Sequence, residues 1–514
     1  MSEQVWIIDF GSQYTQLITR KCRELGHSSK IFTVTEAKHL IEKGNKAEAV
    51  ILSGGPHSIF KDQGEYDFDF RDSARPILGI CYGMQLLSQF FGGVVEQGSQ
   101  GEYGKALVNL QTNSESLPKK TIAWMSHFDE VTKLPENFEP LYKSENGLNA
   151  GIKHQTKPMM GLQFHPEVEH TENGKEILAY FLHKMAKLTP DWNESLMVSQ
   201  AREEIKTVDN SYVLCAFSGG VDSLVAATLS HEILQEKLKC FFVDNGLLRP
   251  QDMIHMRRIQ DQGNLDITIL DCKSLFLDAL QGVKDPEKKR KIIGTKFIEV
   301  FEKEVRQYEK NKNIKFDYLL QGTLYPDVIE SLSPHKTGGK SATIKSHHNV
   351  GGLPERMNLK LLEPLKYMFK DEVRKIGKSL GLPSKWVNRH PFPGPGIGVR
   401  VLGELTSEAI RCVQESDQIL FEELESADLY DSTWQAFTVY LPVKTVGVKG
   451  DARAYESVIC LRMVGSVDGM TADVTQVPFE FLSKVSSRIT NEVSGITRVV
   501  YDITSKPPGT IEWE

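Results

Sequence analysis

Three short stretches carry residue types that can do chemistry. In Gly79-Ile80-Cys81-Tyr82-Gly83 a cysteine takes the serine place of a G-x-S-x-G nucleophile elbow. The pattern predicts a strand that ends, a sharp turn and a helix that begins. Glycines two residues before and after Cys81 remove Cβ atoms that would clash in such a turn. Cys81 then stands at a helix N-terminus, where the dipole and nearby N–H groups favour the thiolate. In G-L-Q-F-H-P-E-V (161–168), a strand-like period of two places His165 and Glu167 on one side. His165 can serve there as general base, with Glu167 holding its other ring nitrogen. A buried cysteine between glycines is also ordinary packing; the His-x-Glu partner is what points to attack on a carbonyl carbon.

The third stretch, F-S-G-G-V-D-S (217–223), predicts a turn from strand to helix. Backbone N–H groups and the helix dipole then face an anion. The glycines allow close approach, and Ser218 and Ser223 add hydroxyl donors. The Gly-Lys-Ser/Thr ending of a Walker loop is missing. Asp222 would repel phosphate unless a cation intervened, which points to Mg²⁺ shared between carboxylate and phosphates. A tight strand-to-helix turn with a good helix cap is the bland alternative.

These stretches need elements to hold them. V-W-I-I-D-F (5–10), A-V-I-L-S-G-G (49–55) and P-I-L-G-I (76–80) are short apolar runs ending in turn residues, as buried parallel strands do. M-Q-L-L-S-Q-F-F-G-G (84–93) reads as a helix closed by glycine. K-L-T-P-D-W-N (187–193) marks a first boundary, and a second alternating region starts at Y-V-L-C-A-F (212–217). R-H-P-F-P-G-P-G-I-G (389–398) can be neither helix interior nor central strand and marks a second boundary. Beyond it, 437–443, 455–464 and 498–503 read as strands and 481–493 as a helix. The expected fold class is therefore α/β, with two doubly wound parallel-sheet domains (1–190 and 191–389) and a small α+β domain (390–514).

Composition agrees with this picture. The 514 residues suggest about three domains. The net charge of −7 argues against a nucleic-acid-wrapping protein. Seven cysteines without a C-x-x-C pair predict reduced thiols in a cytoplasmic protein, with neither a disulfide framework nor a zinc site. No signal peptide is expected, and no apolar run approaches the roughly 20 residues that span a bilayer.

The first region resembles the class I glutamine amidotransferases, with Cys81, His165 and Glu167 in the family's order and with L-S-G-G-P at 52–56. That resemblance implies an oxyanion hole from the N–H groups of Gly55 and Tyr82, and a thioester route from glutamine to glutamate and ammonia. S-G-G-x-D-S resembles the PP-loop of N-type ATP pyrophosphatases. It implies that Ser218, Gly219, Gly220, Val221, Asp222, Ser223 and Leu224 grip the β/γ end of ATP, so that an acceptor is adenylated and not phosphorylated. Leu224 stands where many relatives carry another serine.

Longer strings resemble the GMP synthetases over essentially the whole chain. They include F-V-D-N-G-L-L-R (242–249), K-R-K-I-I-G (289–294), Q-G-T-L-Y-P-D-V-I-E-S (321–331), F-K-D-E-V-R-K-I-G (369–377), H-P-F-P-G-P-G-I-G-V-R (390–400) and S-K-P-P-G-T-I-E-W-E (505–514). The implied acceptor is xanthosine 5′-monophosphate (XMP). Its implied contacts are Arg290, Gln435, Arg498, Lys506, Thr510, Ile511 and Glu512, while the rest of K-K-R-K reads as solvated surface. Asp244 and Gly322-Thr323 lie past predicted strand ends and are placed near ATP. I-K-S-H-H-N-V-G-G-L-P (344–354) reads as a glycine-hinged lid carrying Lys345, not as a metal site at His347-His348. Glu355 and Arg356 depart from the lysine that relatives place there. The resemblance further implies a homodimer joined through the last domain. Two rivals stay open at this point: a PP-loop enzyme with another acceptor, and a nucleotide-binding protein without activity.

Overall fold

The computed structural model describes residues 3–43, 46–56, 58–59, 75–332, 358–449, 452–466 and 472–514, so Lys345 and the expected lid lie outside the described residues. The chain divides into two compact units, one up to Leu196 and one from Met197 onward.

The first unit is built on one nine-stranded sheet. Its strands are β1 (Val5–Asp9), β2 (Ser29–Thr33), β3 (Ala49–Leu52), β4 (Ile77–Ile80), β5 (Val94–Leu110), β6 (Lys120–Lys133), β7 (Phe138–Ser144), β8 (Asn149–His154) and β9 (Met159–Leu162). They lie in the order β2-β1-β3-β4-β9-β8-β7-β5-β6. From β2 to β9 all neighbours are parallel. From β9 to β6 all are antiparallel. The sequence explains the division. β3, β4 and β9 are buried along their whole length, as parallel strands covered on both faces must be. β6 alternates buried and more exposed residues over most of its length, the pattern of a sheet with one open face. The parallel half is the expected one; the antiparallel half extends it.

The second unit carries a five-stranded, fully parallel sheet. Strands β10 (Tyr212–Ala216), β11 (Leu238–Asp244), β12 (Ile267–Asp271), β13 (Phe316–Leu320) and β14 (Lys360–Leu362) lie in the order β12-β11-β10-β13-β14. A mixed sheet follows. In it β15 (Gln435–Lys449) pairs antiparallel with β16 (Ala452–Gly465), which also pairs with β17 (Asp473–Val474) and, in parallel, with β18 (Ile496–Asp502). Helices Ser407–Ser426 and Phe479–Glu492 cover this sheet. One continuous core joins both sheets, running from Leu214 and Phe241 through Ile293 and Ile397 to Ile410 and Ile459. The Pro/Gly stretch read as a boundary packs into that core. Ile397 N–H donates to Leu247 O at 2.8 Å. Gly396 has φ +65°, and a Cβ there would come within 2.2 Å of Leu247 O.

Backbone proximity also fixes the elbow after β4. A Cβ on Gly83 would lie 2.4 Å from Leu52 O in the neighbouring strand, so the helix Tyr82–Phe90 can seat itself on the sheet only with glycine there. Gly83→Ala is accordingly expected to lower the stability of the first unit by about 1–3 kcal/mol, the usual cost of overpacking. Urea unfolding reads this directly, and an unchanged midpoint would contradict it.

Candidate active sites

Cys81 caps the helix Tyr82–Phe90 with φ 51° and ψ −108°, a positive-φ conformation that costs a non-glycine residue about 1–3 kcal/mol. Its carbonyl accepts from Met84 and Gln85 N–H at 3.0 and 3.2 Å, and its own N–H donates to Leu162 O at 2.7 Å. The thiol therefore leaves the end of β4 beside the end of β9. Strand β9 stops at Leu162, so His165 and Glu167 lie past it, around Pro166, and not on one face of a strand as their spacing suggested. The turn brings them together all the same: His165 Nδ1 and Glu167 Oε1 are 2.7 Å apart, both buried. Burial works to lower the His165 pKa, but the Glu167 charge and hydrogen bonds with Cys81 and Glu167 hold it well above the ordinary histidine value.

Four further groups surround this arrangement. Thr171 Oγ1 donates to His165 O at 2.6 Å and accepts Trp124 N–H at 3.0 Å. The Tyr14 ring meets the His165 ring edge-on, centroids 5.0 Å apart. Gln163 Nε2 lies 3.8 Å from Cys81 Sγ, and Ser126 O lies 3.7 Å from it. Gln163 falls inside the run read for its His and Glu, but its spacing does not mark it; Thr171 and Tyr14 give no local signal. The glycine loop lies against the same pair. A Cβ on Gly54 would be 3.1 Å from His165 Cε1 and 3.6 Å from Cys81 Cβ. Gly55 packs on Phe10 O, and Tyr82, next to the thiol, packs its ring on Phe10.

In the second unit, Ser218 to Gly220 cross from β10 to the helix Val221–Leu234. Gly219 has φ +75°, and a Cβ there would come within 2.6 Å of Met256 Sδ. Ser218 and Ser223 hydroxyls are 3.0 Å apart, and Ser223 Oγ donates to Gly220 O at 3.0 Å. Val221 and Leu224 are buried, and the Leu224 N–H is committed to Gly220 O at 3.0 Å. Gly322 lies against the loop: a Cβ there would be 2.8 Å from Asp222 C and 2.9 Å from Ser223 N. Thr323 Oγ1 donates to Glu363 Oε1 at 2.6 Å. Asp244 ends the adjacent strand β11, buried, with Lys273 Nζ 3.1 Å from its Oδ2. The Asp222 carboxylate is asymmetric. Lys370 Nζ binds Oδ2 at 2.6 Å, while Oδ1 is buried without a hydrogen-bond partner among the described residues. Lys370 belongs to the F-K-D-E-V-R-K-I-G string, where nothing local sets it apart from the other lysines.

The residues assigned to the acceptor nucleotide largely converge on Thr510–Glu514. Gln435 Nε2 donates to Glu512 Oε1 at 2.8 Å. Arg400, fully buried, grips both Glu512 oxygens at 2.9 and 3.1 Å. Arg290 donates to the main-chain oxygen of Glu514, and Thr510 Oγ1 to that of Glu512. Ile511 packs on the small core of Phe437, Val439 and Cys460. Lys506 pairs its main chain with Ala472 at 2.7 and 3.1 Å. Arg498 stands exposed on β18, and among the described residues no hydrogen bond or ion pair ties it to this group. The solvated reading of K-K-R-K fails at Lys289, which is completely buried.

Comparison with known proteins follows the same division. The family model for class I glutamine amidotransferases matches residues 6–185, and the model for the GMP synthase C-terminal domain matches 422–513. The chain is 50% identical over 516 residues to the GMP synthase (glutamine-hydrolyzing) of Thermosipho africanus, covering 99% of each chain. It is 50% identical to the protein of that name from Thermotoga maritima, covering 99% of this chain and 100% of that one. A solved structure of a GMP synthase subunit from Thermoplasma acidophilum is 31% identical; it covers 36% of this chain and 96% of that one, with a TM-score of 0.33. Half of the residues are shared along practically the full length of the Thermosipho and Thermotoga relatives, and the chain belongs to the glutamine-hydrolysing GMP synthase family.

Proposed function

We propose that this chain makes GMP from XMP, ATP and glutamine, with residues 1–190 as glutaminase, 191–389 as ATP pyrophosphatase and 390–514 as the dimerising, XMP-binding domain. The observation that carries the reading is the His165 ring, joined to the Glu167 carboxylate at 2.7 Å and lying with the elbow Cys81 against the same glycine, Gly54. A ring held in this way accepts the thiol proton and later passes it to the departing amine. The Cys81 sulfur attacks the carboxamide carbon of glutamine. The Gly55 and Tyr82 amides steady the oxyanion, each worth about 2.7–4 kcal/mol. Ammonia leaves, and water releases glutamate from the thioester.

At Ser218–Leu224 the glycine loop receives the β/γ end of ATP at a helix N-terminus. The XMP 2-oxo oxygen attacks the α-phosphorus, pyrophosphate leaves as a unit, and ammonia then displaces AMP from C2. Gly322 closes on the same loop; Asp244, Thr323 and Lys345 complete the ATP side. A Mg²⁺ ion fits Asp222, whose buried Oδ1 lacks a partner among the described residues, and bound there it would neutralise charge on the pyrophosphate. Lys370 supplies a second positive charge at Oδ2. Arg290, Gln435, Arg498, Lys506, Thr510, Ile511 and Glu512 hold XMP, with Arg498 and Lys506 meeting its phosphate.

The exposed apolar residues Val443, Val446, Val448 and Tyr455 on the β15–β16 hairpin support a homodimer. No helix among the described residues is long and apolar enough to cross a membrane, and we place the enzyme in the cytoplasm, without nucleic-acid partners.

Cys81→Ala separates the two chemistries. With ATP and XMP, the variant should form GMP from ammonium salts at close to the wild-type rate and lose at least about a thousandfold with glutamine. Loss of both activities together would contradict the division of labour.

Glu167→Gln removes the charge that lifts His165. The ring of the variant then titrates at a lower pH than that of the wild type. In the wild type the raised value stabilises the fold fully below 6.5, and that contribution is lost as pH rises through the folded value. In the variant that contribution shrinks. Ring ¹⁵N chemical shifts against pH read this, and identical titrations would contradict it.

A further inference from the structure

Lys289 is the one member of the K-K-R-K run that is buried. It lies in the first turn of the helix Pro286–Lys312, which Asp285 caps by accepting Lys288 N–H at 2.8 Å. Its side chain is 0% exposed. A buried ammonium has three donors to satisfy and a charge to neutralise. Two donors go to main-chain oxygens of the Pro/Gly turn, Val401 O at 2.6 Å and Gly398 O at 3.4 Å. The third goes to Glu514 Oε2 at 2.5 Å, the one carboxylate it meets among the described residues. Glu514 Oε1 in turn accepts Gly403 N–H at 3.4 Å. Lys289 thus ties three segments of the chain to one point.

We infer that Lys289 and Glu514 form a positioning pair that sets the affinity for XMP without touching it. Glu514 lies two residues beyond Glu512, and Arg290 is the residue after Lys289. Anchoring Glu514 on Lys289 therefore fixes the register of the Thr510–Glu514 segment against Arg290, Gln435 and Arg400. A binding side chain has to be held within about 0.5 Å of its productive position, so a Thr510–Glu514 segment released from its anchor binds XMP more weakly. The inference rests on the assignment of this segment to XMP given above.

The test is Glu514→Gln in the full chain, which keeps shape and removes the charge. KM for XMP and its equilibrium Kd should both rise by about tenfold or more, with KM for ATP unchanged and kcat at saturating XMP within about twofold. Amide exchange over residues 509–514 should quicken, with exchange in β10 and β11 unchanged. Should the variant fold poorly, Lys289→Met with Glu514→Leu removes both charges together; it should fold while still binding XMP weakly. An unchanged Kd for XMP, or equal rises for XMP and ATP, would overturn the pair's positioning role. A wild-type protein that bound no XMP would instead contradict the assignment of the site, and the exchange measurement would still decide whether Glu514 anchors the segment.

Discussion

Close approach of backbone to backbone, tighter than any Cβ permits, governs both reacting loops. After β4 the chain turns so sharply that Cys81 takes a positive φ, and Gly79 and Gly83 are held against Gly83 O and Leu52 O at 2.4 Å from where a Cβ would be. After β10, Gly219 turns with φ +75° beneath Met256, and Gly322 presses on the main chain of Asp222 and Ser223. Each turn ends a parallel strand and starts a helix, so N–H groups and the positive end of the helix converge on one point. Strain of this kind persists only where the surroundings over-determine it. Here they do: β3, β4 and β9 are buried throughout, and the helix Val221–Leu234 is buried at Val221, Leu224, Val225 and Leu229.

Buried charge is the second organising feature, and it is concentrated in the second unit. Arg400 is 0% exposed and spans Asp417, at 3.5 Å, and Glu512. Burial raises the Asp417 carboxyl pKa even with Arg400 and Arg249 opposing it. Arg462, also fully buried, donates to the main-chain oxygens of Thr504 and Thr510 at 2.6 and 3.1 Å. Such groups are costly to bury and strongly destabilising when one partner is removed. What they hold is the 504–514 segment, which has little regular structure of its own and whose placement follows from these pairings.

The local geometry is legible in the sequence because its signals are local. Glycine, cysteine and serine at fixed offsets encode a strand-to-helix turn, and both turns are present at Cys81 and at Ser218–Gly220. Spacing together with the upstream elbow cysteine points to the His165–Glu167 pair, although a turn around Pro166 and not a strand brings the side chains together. Long-range pairings are not legible. Lys370 meets Asp222 across 148 residues and Lys289 meets Glu514 across 225. In composition alone K-K-R-K looks solvated, since burial of a lysine depends on acceptors supplied by distant segments. The antiparallel half of the first sheet escapes as well, because its long strands β5 and β6 mix polar and apolar residues on an open face.

The central claim is that the glycine loop holds the departing pyrophosphate while the XMP oxygen takes the adenylyl group. XMP labelled with ¹⁸O at the 2-oxo position tests it most directly, since that oxygen must leave C2 bound to phosphorus. The account predicts the label in the phosphate of AMP, detected by its ³¹P isotope shift. Label found in inorganic phosphate, in pyrophosphate or in water would contradict it.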